Sequence, residues 1–533
     1  MTSPEVVPNG PNGVTLPILP SRWQWARLDQ LLLRIEAGKS FRCEERPPID
    51  GEYGVVKVSA VTWGTYDEQE SKTITDADRI DEAYLIRPGD FLFSRANTIQ
   101  LVGASVIVHA TSKRLLLSDK ILRFVFAADF RKWINWLFKS SIGRSQIEAL
   151  STGNQQSMRN IGQQRIGQIC VPVAPPKEMN RIISKIDELF SRIEEGERAL
   201  ERVQKLVERY RQSVLKAAVT GELTRDWREK NKGNRESGEA LLARLLKARR
   251  EAWERAELDK MKAKGMTPAD DRWKQKYEAP LPPNFDHLQD LPAAWTWVSV
   301  EQAGEARLGR QRAPQHHMGD HMRPYLRVAN VHEDRLDLSD VMRMNFTPEE
   351  FKTYELRSGD VLLNEGQSPE LVGRPAMYRG EIPGCCYQKT LLRFRAYDGV
   401  HSEFALFVFR SYLHSGRFRR SANITTSIAH LAAERFVKIE FPLPPKEEQA
   451  EIVEIASRKL TALAHLERDL TARCRAVEGL RQSVLKSAFS GQIALRDPTD
   501  ESASRLLDRI ASERGTAPVK PNRGPKNKTK ESA

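Results

Sequence analysis

The chain has little cysteine and no long apolar stretch. Its 533 residues include only five cysteines: Cys43, Cys170, Cys385, Cys386 and Cys474. No two of them have CxxC spacing, which disfavours zinc sites and disulfide frameworks and fits a reducing compartment. No segment approaches the roughly 18 consecutive apolar residues of a membrane span, and residues 1–13 lack the basic and apolar regions of a secretion signal. These absences predict a cytoplasmic protein.

Catalytic motifs are also scarce. Gly38-Lys39-Ser40 resembles the end of a phosphate-binding loop, but Leu33 stands where such a loop needs its first glycine. The sequence contains no GxGxxG, no GxSxG and neither the NPPY nor the DPPY tetrapeptide of amino-methyltransferases. Methyl transfer and nucleotide hydrolysis by this chain are therefore not expected, and no cofactor is predicted for it.

Two groups of residues could suggest a metal site or a nuclease. His316, His317 and His321 form the only histidine cluster, but a glycine interrupts it and no cysteine or HExxH glutamate accompanies it. A polar loop is favoured over a metal site. Asp90 and Asp360 each end an RxGD motif. Gly-Asp before an apolar strand is common turn chemistry, which is favoured over a pair of nuclease carboxylates.

The charge balance favours a polyanionic partner. There are 84 lysines and arginines against 71 acidic residues, a net charge of +13, and the sequence pI is about 9.4. Such an excess is expected of a protein that binds nucleic acid. The 40% of hydrophobic residues are enough to build real cores.

The sequence contains an internal repeat. YLIRPGDFLFSRANTIQLVG at residues 84–103 matches YELRSGDVLLNEGQSPELVG at residues 354–373, 270 positions later. RQSVLK occurs at residues 211–216 and again at residues 481–486, with the same offset. A six-residue identity in register with the other matches predicts two copies of one structural unit.

Each copy begins with short apolar runs broken by glycine, proline and aspartate, which predict a mixed sheet with loops. We therefore predict a mixed α/β fold with two tandem globular domains, separated by long antiparallel coiled-coil helices and related by a pseudo-twofold repeat. The predicted segments are a disordered N-terminus (1–15), domain 1 (16–174), helix 1 (175–221), a charged helical connector (222–290), domain 2 (291–443), helix 2 (444–490), a short helical segment (491–514) and a disordered basic tail (515–533).

The long helices are predicted from apolar residues that step by four and three. The positions are Ile182, Ile186, Leu189, Ile193, Leu200, Val203, Val207, Tyr210 and Val214 in the first copy, and Ile452, Ala456, Leu463, Leu466, Leu470, Val477, Leu480 and Val484 in the second. The two apolar faces are expected to pack on each other. From residue 182 to 214 a helix is roughly 50 Å long, so the pair would hold two domains a little over one DNA turn apart.

Two polar stretches differ between copies whose flanks match. SRANT at residues 94–98 corresponds to NEGQS at 364–368, and STGNQQSMRN at 151–160 corresponds to SANITTSIAH at 421–430. A retained scaffold with altered loops suits two domains that bind different targets, although solvated surface loops are the alternative. Arg, Asn and Gln pair with base edges, while Ser and Thr contact bases or phosphates. The predicted DNA-binding residues are Ser94, Arg95, Asn97, Thr98, Asn154, Gln155, Gln156, Arg159, Asn364, Gln367, Asn423, Thr425 and Thr426.

From about Leu19 to Ser512 the chain resembles the specificity subunits of type I restriction-modification systems. The resemblance is carried by FPLPPKEEQAEIVE at residues 441–454, the weaker VPVAPPKEMNRIIS at 171–184, and the helix ends RQSVLKAAVTGELT and RQSVLKSAFSGQIA. In the first copy KEMN at residues 177–180 replaces the usual acidic-Gln pair, a difference expected to affect helix capping. The resemblance implies two target-recognition domains, each of which reads one half of a split DNA sequence, with helices that set the gap.

The resemblance also implies partners. Two methyltransferase subunits would dock on the helices and methylate adenine N6 with S-adenosylmethionine, and motor-nuclease subunits would use ATP and Mg for restriction. The chain itself would bind double-stranded DNA and be non-catalytic. Two alternatives stay open. A fused restriction-methylation enzyme would need the missing methyltransferase tetrapeptide, and a coiled-coil scaffold that binds DNA without sequence preference would not need the divergent stretches.

Overall fold

The computed structural model describes residues 9–155, 158–233, 236–286, 288–425 and 427–516. The chain forms two compact units. Unit 1 comprises residues 1–200 and 471–533, and unit 2 comprises residues 201–470. Unit 1 therefore combines the two end portions of the sequence, whereas unit 2 is one continuous segment.

Unit 1 begins with thirteen strands and four short helices in the part that the structure describes. Its strands are β1 (Gln24–Arg27), β2 (Leu32–Ala37), β3 (Cys43–Glu44), β4 (Tyr53–Val56), β5 (Ser71–Ile74), β6 (Phe91–Ser94), β7 (Ala96–Asn97), β8 (Ser105–Ile107), β9 (Arg114–Leu116), β10 (Ile121–Phe126), β11 (Thr152–Gln155), β12 (Met158–Asn160) and β13 (Cys170–Val173). Its helices are α1 (Leu28–Leu31), α2 (Arg131–Lys139), α3 (Ser141–Leu150) and α4 (Gln163–Gly167), and the long α5 (Pro176–Val219) follows.

The core of unit 1 lies between a four-stranded sheet and helix α2. The sheet has the order β2-β10-β6-β8 with antiparallel neighbours, and every residue of β6 is buried. Phe91 and Phe93 on β6 stack with Phe124 on β10, and Phe138 on α2 meets Phe93 edge-on at 5.5 Å between ring centres. Unit 1 also contains the sheets β3-β5-β4-β9, β1-β13 and β11-β12-β7.

Unit 2 repeats this design. Its helices are α6 (Arg225–Lys230), α7 (Gly238–Ala263), α8 (Val300–Ala303), α9 (Pro348–Tyr354), α10 (Ser402–His414), α11 (Arg417–Ser421) and α12 (Ala433–Phe436), followed by the long α13 (Lys446–Phe489) and by α14 (Ala503–Thr516) in unit 1. Its strands are β14 (Thr296–Ser299), β15 (Gly304–Leu308), β16 (Met322–Leu326), β17 (Val331–His332), β18 (Arg335–Leu336), β19 (Met342–Asn345), β20 (Val361–Asn364), β21 (Gly366–Gln367), β22 (Pro375–Met377), β23 (Cys386–Tyr387), β24 (Leu391–Ala396), β25 (Asn423–Ile424), β26 (Ala429–His430) and β27 (Glu440–Leu443).

The main sheet of unit 2 has the order β15-β24-β20-β22, the counterpart of β2-β10-β6-β8, and α10 takes the place of α2. Phe409 on α10 meets Phe394 on β24 at 5.0 Å between ring centres. The remaining sheets are β14-β27, β19-β16-β23, β17-β18 and β21-β26-β25. The repeat seen in the sequence is thus a repeat of topology.

Helices α5 and α13 confirm the two predicted long helices, each with 44 residues. In unit 1 the beginning of α5 packs with the end of α13, and Glu197 accepts a hydrogen bond from Arg481 at 2.7 Å. In unit 2 the end of α5 packs with the beginning of α13, where Lys459 donates to the Tyr210 hydroxyl at 3.4 Å. These contacts join the C-terminal part of each helix to the N-terminal part of the other, so the two helices run antiparallel.

The predicted apolar face of these helices is only partly covered. Ile182, Ile186, Ile452 and Ala456 are fully buried, as expected. Four of the predicted positions are exposed instead: Val203, Tyr210, Leu466 and Leu480. A pair of helices buries one narrow stripe on each partner, so apolar residues beside that stripe stay accessible to solvent.

Downstream of each long helix, one further helix packs into a globular core. Leu241 and Leu245 on α7 are buried in the core of unit 2, and Leu506 and Ile510 on α14 are buried in the core of unit 1. The stretch 222–290, predicted as a charged connector, thus contributes to a core. Its many charges lie on the exposed side of α7.

The first residues that the structure describes are ordered, although residues 1–15 were predicted to be disordered. Asn9 forms a β-bridge with Thr15, and the Asn12 side chain donates to the Ala149 carbonyl at 2.6 Å. Leu16 is buried and closes this turn. Because these groups find partners in unit 1, the Pro- and Gly-rich composition does not prevent a fixed structure here. Most of the predicted tail, residues 517–533, lies outside the described residues.

The KEMN departure in the first copy changes the core and leaves the helix start intact. Glu178 and Glu448 are both buried and accept a hydrogen bond from a tryptophan indole, Trp23 at 3.1 Å and Trp295 at 2.9 Å. One position later, Gln449 bonds three backbone groups in unit 2, whereas Met179 packs in the apolar core of unit 1. The expectation of altered capping was wrong, because the side chain at this position points into the core.

Asp90 and Asp360 are structural. Each accepts the backbone N–H of the arginine that begins its RxGD turn, at 2.9 and 2.8 Å. Each is also paired with an arginine on the neighbouring strand: Arg123 lies 2.9 Å from Asp90, and Arg395 forms two bonds of 2.7 Å with Asp360. The carboxylates are therefore committed to holding the turn against the sheet, as turn chemistry predicted.

Candidate nucleic-acid interface

The two divergent stretches of unit 1 meet in one small sheet. Strand β7, from the first stretch, pairs with β12, from the second, so that Ala96 lies opposite Asn160 and Asn97 lies opposite Arg159. Strand β11 pairs with the other edge of β12. Residues more than 50 positions apart in the sequence therefore share one surface.

Unit 2 builds the same sheet at the same repeat positions. Gly366 lies opposite His430 and Gln367 lies opposite Ala429 between β21 and β26, and β25 pairs with the other edge of β26. The stretches were interpreted as loops, but each contributes short strands. Main-chain bonds to the flanking scaffold fix their ends: Arg95 N–H donates to the Lys120 carbonyl at 3.0 Å.

One pair of neighbouring side chains differs in character between the units. In unit 1 the Arg95 Nε donates to Asn160 Oδ1 at 3.3 Å. In unit 2, 270 positions later, Glu365 Oε1 lies 3.4 Å from His430 Nδ1. A basic and amide pair is thus replaced by an acidic and imidazole pair. Asn160, Glu365 and His430 were not among the predicted site residues, although they lie within or directly beside the divergent stretches.

The amide residues of the first stretches adopt one conformation in both units. Asn97 Oδ1 accepts the N–H of Thr98 at 2.8 Å, and Gln367 Oε1 accepts the N–H of Ser368 at 3.2 Å. In both units the backbone N–H that follows therefore orients the side-chain carbonyl oxygen. Thr98 is partly exposed beside Asn97.

Arg159 holds the β11–β12 hairpin together. Its guanidinium donates to the Ser151 hydroxyl at 3.1 Å, the Gly153 carbonyl at 2.7 Å and the Ser151 carbonyl at 3.1 Å. With its donors directed at the backbone, Arg159 is better suited to position neighbouring side chains than to read a base.

Ser94 and Asn364 are not surface residues. Both are fully buried at the ends of the central strands β6 and β20, and Asn364 Nδ2 donates to the Val331 carbonyl at 3.4 Å. Their burial disfavours their selection as DNA-binding residues, since the sequence alone does not show that a polar residue after an apolar run still belongs to the buried strand.

The remaining predicted residues lie in the second stretches. Asn423 and Thr425 are exposed, and the Thr425 hydroxyl donates to the Ile428 carbonyl at 3.0 Å. Asn154 and Gln155 lie in β11. Gln156 and Thr426 were also predicted and lie outside the described residues.

A cleft with four lysines adjoins the sheet of unit 1. It has a volume of about 680 Å³ and is lined by Lys39, Lys57, Lys72 and Lys120, together with Glu45 and Asp119. Lys72 is paired with Glu45 at 2.5 Å. The cleft reaches the sheet through Lys120, whose carbonyl holds Arg95. Burial raises the pKa of Cys43 in this cleft, so its thiol stays protonated at neutral pH.

The Gly38-Lys39-Ser40 motif belongs to this cleft. Gly38 N–H donates to the Ser118 carbonyl at 3.2 Å, and a Cβ at position 38 would come within 1.7 Å of the Leu117 carbonyl oxygen. The glycine permits close backbone approach and does not begin a nucleotide cradle. Lys39, the middle residue of this motif, lines the basic cleft.

The histidine cluster shows no metal geometry. His317 Nε2 accepts a hydrogen bond from Arg312 at 3.2 Å. Across the described ranges, no group of three histidine, cysteine, aspartate or glutamate side chains is arranged to hold a metal ion. Nor does any described helix have the length and apolar character needed to cross a lipid bilayer.

Comparison with known proteins shows what the chain is similar to. Residues 321–472 match the family model of the type I restriction modification DNA specificity domain. The EcoEI specificity subunit of Escherichia coli is 31% identical over 175 residues, which cover 32% of this chain and 30% of that protein. The EcoKI specificity subunit of E. coli strain K12 is 23% identical over 456 residues, 82% of this chain and 84% of the relative.

The StySPI specificity subunit of Salmonella potsdam is 22% identical over 519 residues, which cover 94% of this chain and 97% of that protein. Over most of its length the chain is thus similar to the specificity subunits of type I restriction-modification systems.

Two solved structures share the fold of this chain. A chain from a study of complex assembly and conformational transition in the type I R-M system aligns with a TM-score of 0.58 at 18% identity, over 90% of this chain and 100% of that chain. The HsdS subunit from Thermoanaerobacter tengcongensis aligns with a TM-score of 0.51 at 18% identity, over 91% and 99%. These likenesses confirm the predicted mixed α/β fold with long helices.

Proposed function

We propose that each unit reads one half of a bipartite DNA sequence through its three-stranded sheet, β11-β12-β7 in unit 1 and β21-β26-β25 in unit 2. One observation carries the proposal. Each sheet collects both divergent stretches of its copy on one surface, at equivalent positions of a scaffold that is otherwise repeated. Two domains that recognise different half-sites are expected to share a scaffold and to differ in the side chains that it carries.

The lysine cleft supports a separate role in contacts with the phosphate backbone. Lysine ammonium groups bind phosphates as point charges and carry no sequence information. Replacing Lys39 and Lys120 by glutamine is expected to weaken binding to all duplexes and to reduce the slope of log affinity against log salt by up to about 2. Glutamines at Lys132 and Lys185, exposed lysines of unit 1 outside the cleft, are the matched control. An unchanged slope in the cleft variant would assign the phosphate contacts elsewhere.

The module limits proposed from the sequence, 16–174 and 291–443, can be tested by exchange. Residues 16–174 replaced by those of another family member should change one half of the sequence methylated in the host and leave the other half intact. The reciprocal exchange of residues 291–443 should change only the other half. A change in both halves after either exchange would show that the units do not read independently.

The long helices would set the gap between half-sites and dock the methyltransferase subunits. In unit 1 the two helices form an apolar groove of about 630 Å³ whose lining includes Ile193, Leu200, Val477 and Leu480, with Arg192 and Arg473 among its other residues. Leu480 is 55% exposed. An exposed apolar groove on an otherwise polar helix pair is typical of a surface that a protein partner covers.

Leu480→Glu is expected to abolish co-purification of the methyltransferase, because burial of the new carboxylate in the docked complex is unfavourable. Leu33→Glu is the control, since Leu33 is 51% exposed on β2 of the same unit and lies outside the groove. Retention of the methyltransferase by the Leu480 variant would move the docking surface away from this groove.

Within the complex this subunit would be non-catalytic. S-adenosylmethionine, ATP and Mg would bind to the methyltransferase and motor-nuclease subunits. The purified chain should therefore transfer no methyl group and hydrolyse no ATP, and addition of the methyltransferase should restore methylation. Methyl transfer by the pure chain would overturn this assignment.

A further inference from the structure

We propose that one pair of positions, 95 with 160 in unit 1 and 365 with 430 in unit 2, determines which base each unit selects at one step of its half-site. Arg95 with Asn160 would select guanine, and Glu365 with His430 would select cytosine. The inference rests on the proposed function, because it takes these sheets to be the surfaces that face the DNA bases.

The backbone around these positions is the same in both units. Arg95 N–H donates to the Lys120 carbonyl at 3.0 Å, and Glu365 N–H donates to the Thr390 carbonyl at 2.9 Å. The Arg95 carbonyl accepts the N–H of Ile161 at 2.9 Å, and the Glu365 carbonyl accepts the N–H of Leu431 at 2.8 Å. Since the same scaffold bonds hold both positions, the difference between the units lies in the side chains.

Each of these two positions has a polar side chain beside it on the neighbouring strand, and the two side chains change together between the units. Asn160 accepts from Arg95 at 3.3 Å, and His430 lies 3.4 Å from Glu365, so each reader has an orienting partner on the neighbouring strand. Gly366 makes room for the larger partner, because a Cβ there would lie 3.1 Å from the His430 ring. Unit 1 has Ala96 opposite the smaller Asn160. The three positions thus differ together.

The side-chain chemistry then selects the base. A guanidinium only donates hydrogen bonds, and guanine presents two acceptors, O6 and N7, in the major groove. An ionised carboxylate only accepts, and cytosine presents a single donor, its N4 amino group. Phosphate contact does not explain the pair, since a carboxylate at the unit 2 position would repel a phosphate oxygen.

Glu365→Gln is the most direct test. Glutamine pairs with the adenine N6 and N7 edge, so the variant should change the preferred base at one position of the second half-site from cytosine to adenine. A discrimination of tenfold or more between these bases is expected. The first half-site should stay unchanged. The reciprocal change, Arg95→Gln, should replace guanine by adenine in the first half-site only.

The measurement is selection of binding sites from a random duplex library by the full chain, purified with the subunits that accompany it in its own host. Methylation-site mapping in that host provides a second readout. Glu370→Gln is the matched control, because Glu370 is exposed only five positions away in the same unit. Its selected sequence should equal that of the unaltered chain.

The outcomes separate this inference from the proposed function. If the unaltered chain selects a two-part sequence and the Glu365 variant selects the same one, the assignment of the pair is overturned while half-site reading stands. If the unaltered chain selects no sequence, the proposed function fails first. Should the Glu365 variant not fold, His430→Asn serves instead. It should weaken discrimination at the same base pair, and unchanged discrimination would count against the pair.

Discussion

At the scale of single residues, buried charges in the two units are handled differently. In unit 2 the guanidinium of Arg410 is buried and donates to Glu333 at 3.0 Å and to Asp334 at 2.8 Å, while His414 bonds Glu333 at 2.9 Å. In unit 1 the ammonium of Lys139 lies 4.7 Å from the centre of the Trp136 ring. Two carboxylates form ion pairs with Arg410, whereas Glu194 and Asp187 act on Lys139 through their charge.

Glu333 should stabilise unit 2 at neutral pH and lose this effect in acid. Burial raises its pKa, but the bond from His414 and the charge of Arg410 outweigh burial and lower the pKa to about 2. Glu333→Gln should lower the free energy of unfolding by about 3 to 5 kcal/mol at pH 7. The gap to the unaltered chain should shrink as the pH falls from about 4.5, the unfolded value, toward 2.

Denaturant unfolding between pH 7 and pH 3 measures this gap. Glu349→Gln, at an exposed position of the first turn of α9, should change stability little at any pH. A gap for Glu333→Gln that stays constant with pH would mean that the carboxylate charge is not what stabilises the cluster.

Lys139 should destabilise unit 1 at neutral pH. Burial and the nearby charge of Arg481 together lower its pKa to about 8, against the opposing charges of Glu194 and Asp187, so the folded state binds the proton less tightly than the unfolded state does. Lys139→Met should raise the free energy of unfolding by about 1 to 2 kcal/mol below pH 8, after allowance for partial exposure and for the lost ring contact. The advantage should disappear as the pH rises through 10. Equal stability of both proteins at pH 7 would contradict this.

At the scale of elements, the sequence predicts what is long and periodic. Helices α5 and α13 could be predicted because their apolar residues repeat over many turns. The three-stranded sheets could not, because strands of two to four residues have no readable period and pair with segments more than 50 positions away. Arg95 and Asn97 became candidates from repeat comparison alone, while His430 needed the register that places it opposite Gly366.

The long helices allow a direct test of whether they set the gap between half-sites. Gly196 on α5 and Gly479 on α13 are exposed, with open space beside their Cα atoms, so insertions are tolerated there. Seven added residues at each position keep the heptad phase and lengthen both helices by about 10 Å. At about 3.4 Å per base pair, the gap should grow by about three base pairs with both half-sites unchanged.

Methylation-site mapping of the double-insertion variant gives the new gap. Because Gly196 lines the proposed docking groove, selection of binding sites from a random duplex library is the second readout of the gap. The insertion in α5 alone should break the register with α13 and reduce stability instead. If the double insertion retained the original gap, the distance between the half-sites would be set by some other part of the chain.

At the scale of the whole molecule, each globular core includes a helix that lies downstream of a long helix in the sequence. Leu241 and Leu245 of α7, downstream of α5, pack in unit 2. Leu506 and Ile510 of α14, downstream of α13, pack in unit 1. The two units thus have the same arrangement of elements, but unit 2 is built from one continuous segment of the sequence and unit 1 from two.

Removal of residues 490–533 should therefore damage only unit 1. Leu506 and Ile510 pack in the same core as Leu28 and Leu31 near the start of the chain, so their loss leaves a large apolar surface open. Hydrogen exchange should accelerate in residues 16–174 and stay slow in residues 291–443. Equal acceleration in both would show that the two cores unfold together.

The discontinuity of unit 1 also sets an order of events during synthesis. Domains generally fold as they leave the ribosome, the N-terminal one first. Here unit 1 emerges first but is completed last, because Phe489 and α14 join its core only near the end of translation. On ribosomes stalled near residue 510, where unit 2 has emerged but Phe489 and α14 have not, unit 2 should already resist protease while residues 16–174 are cut. During synthesis, unit 2 would therefore be folded before unit 1, although the chain begins with unit 1.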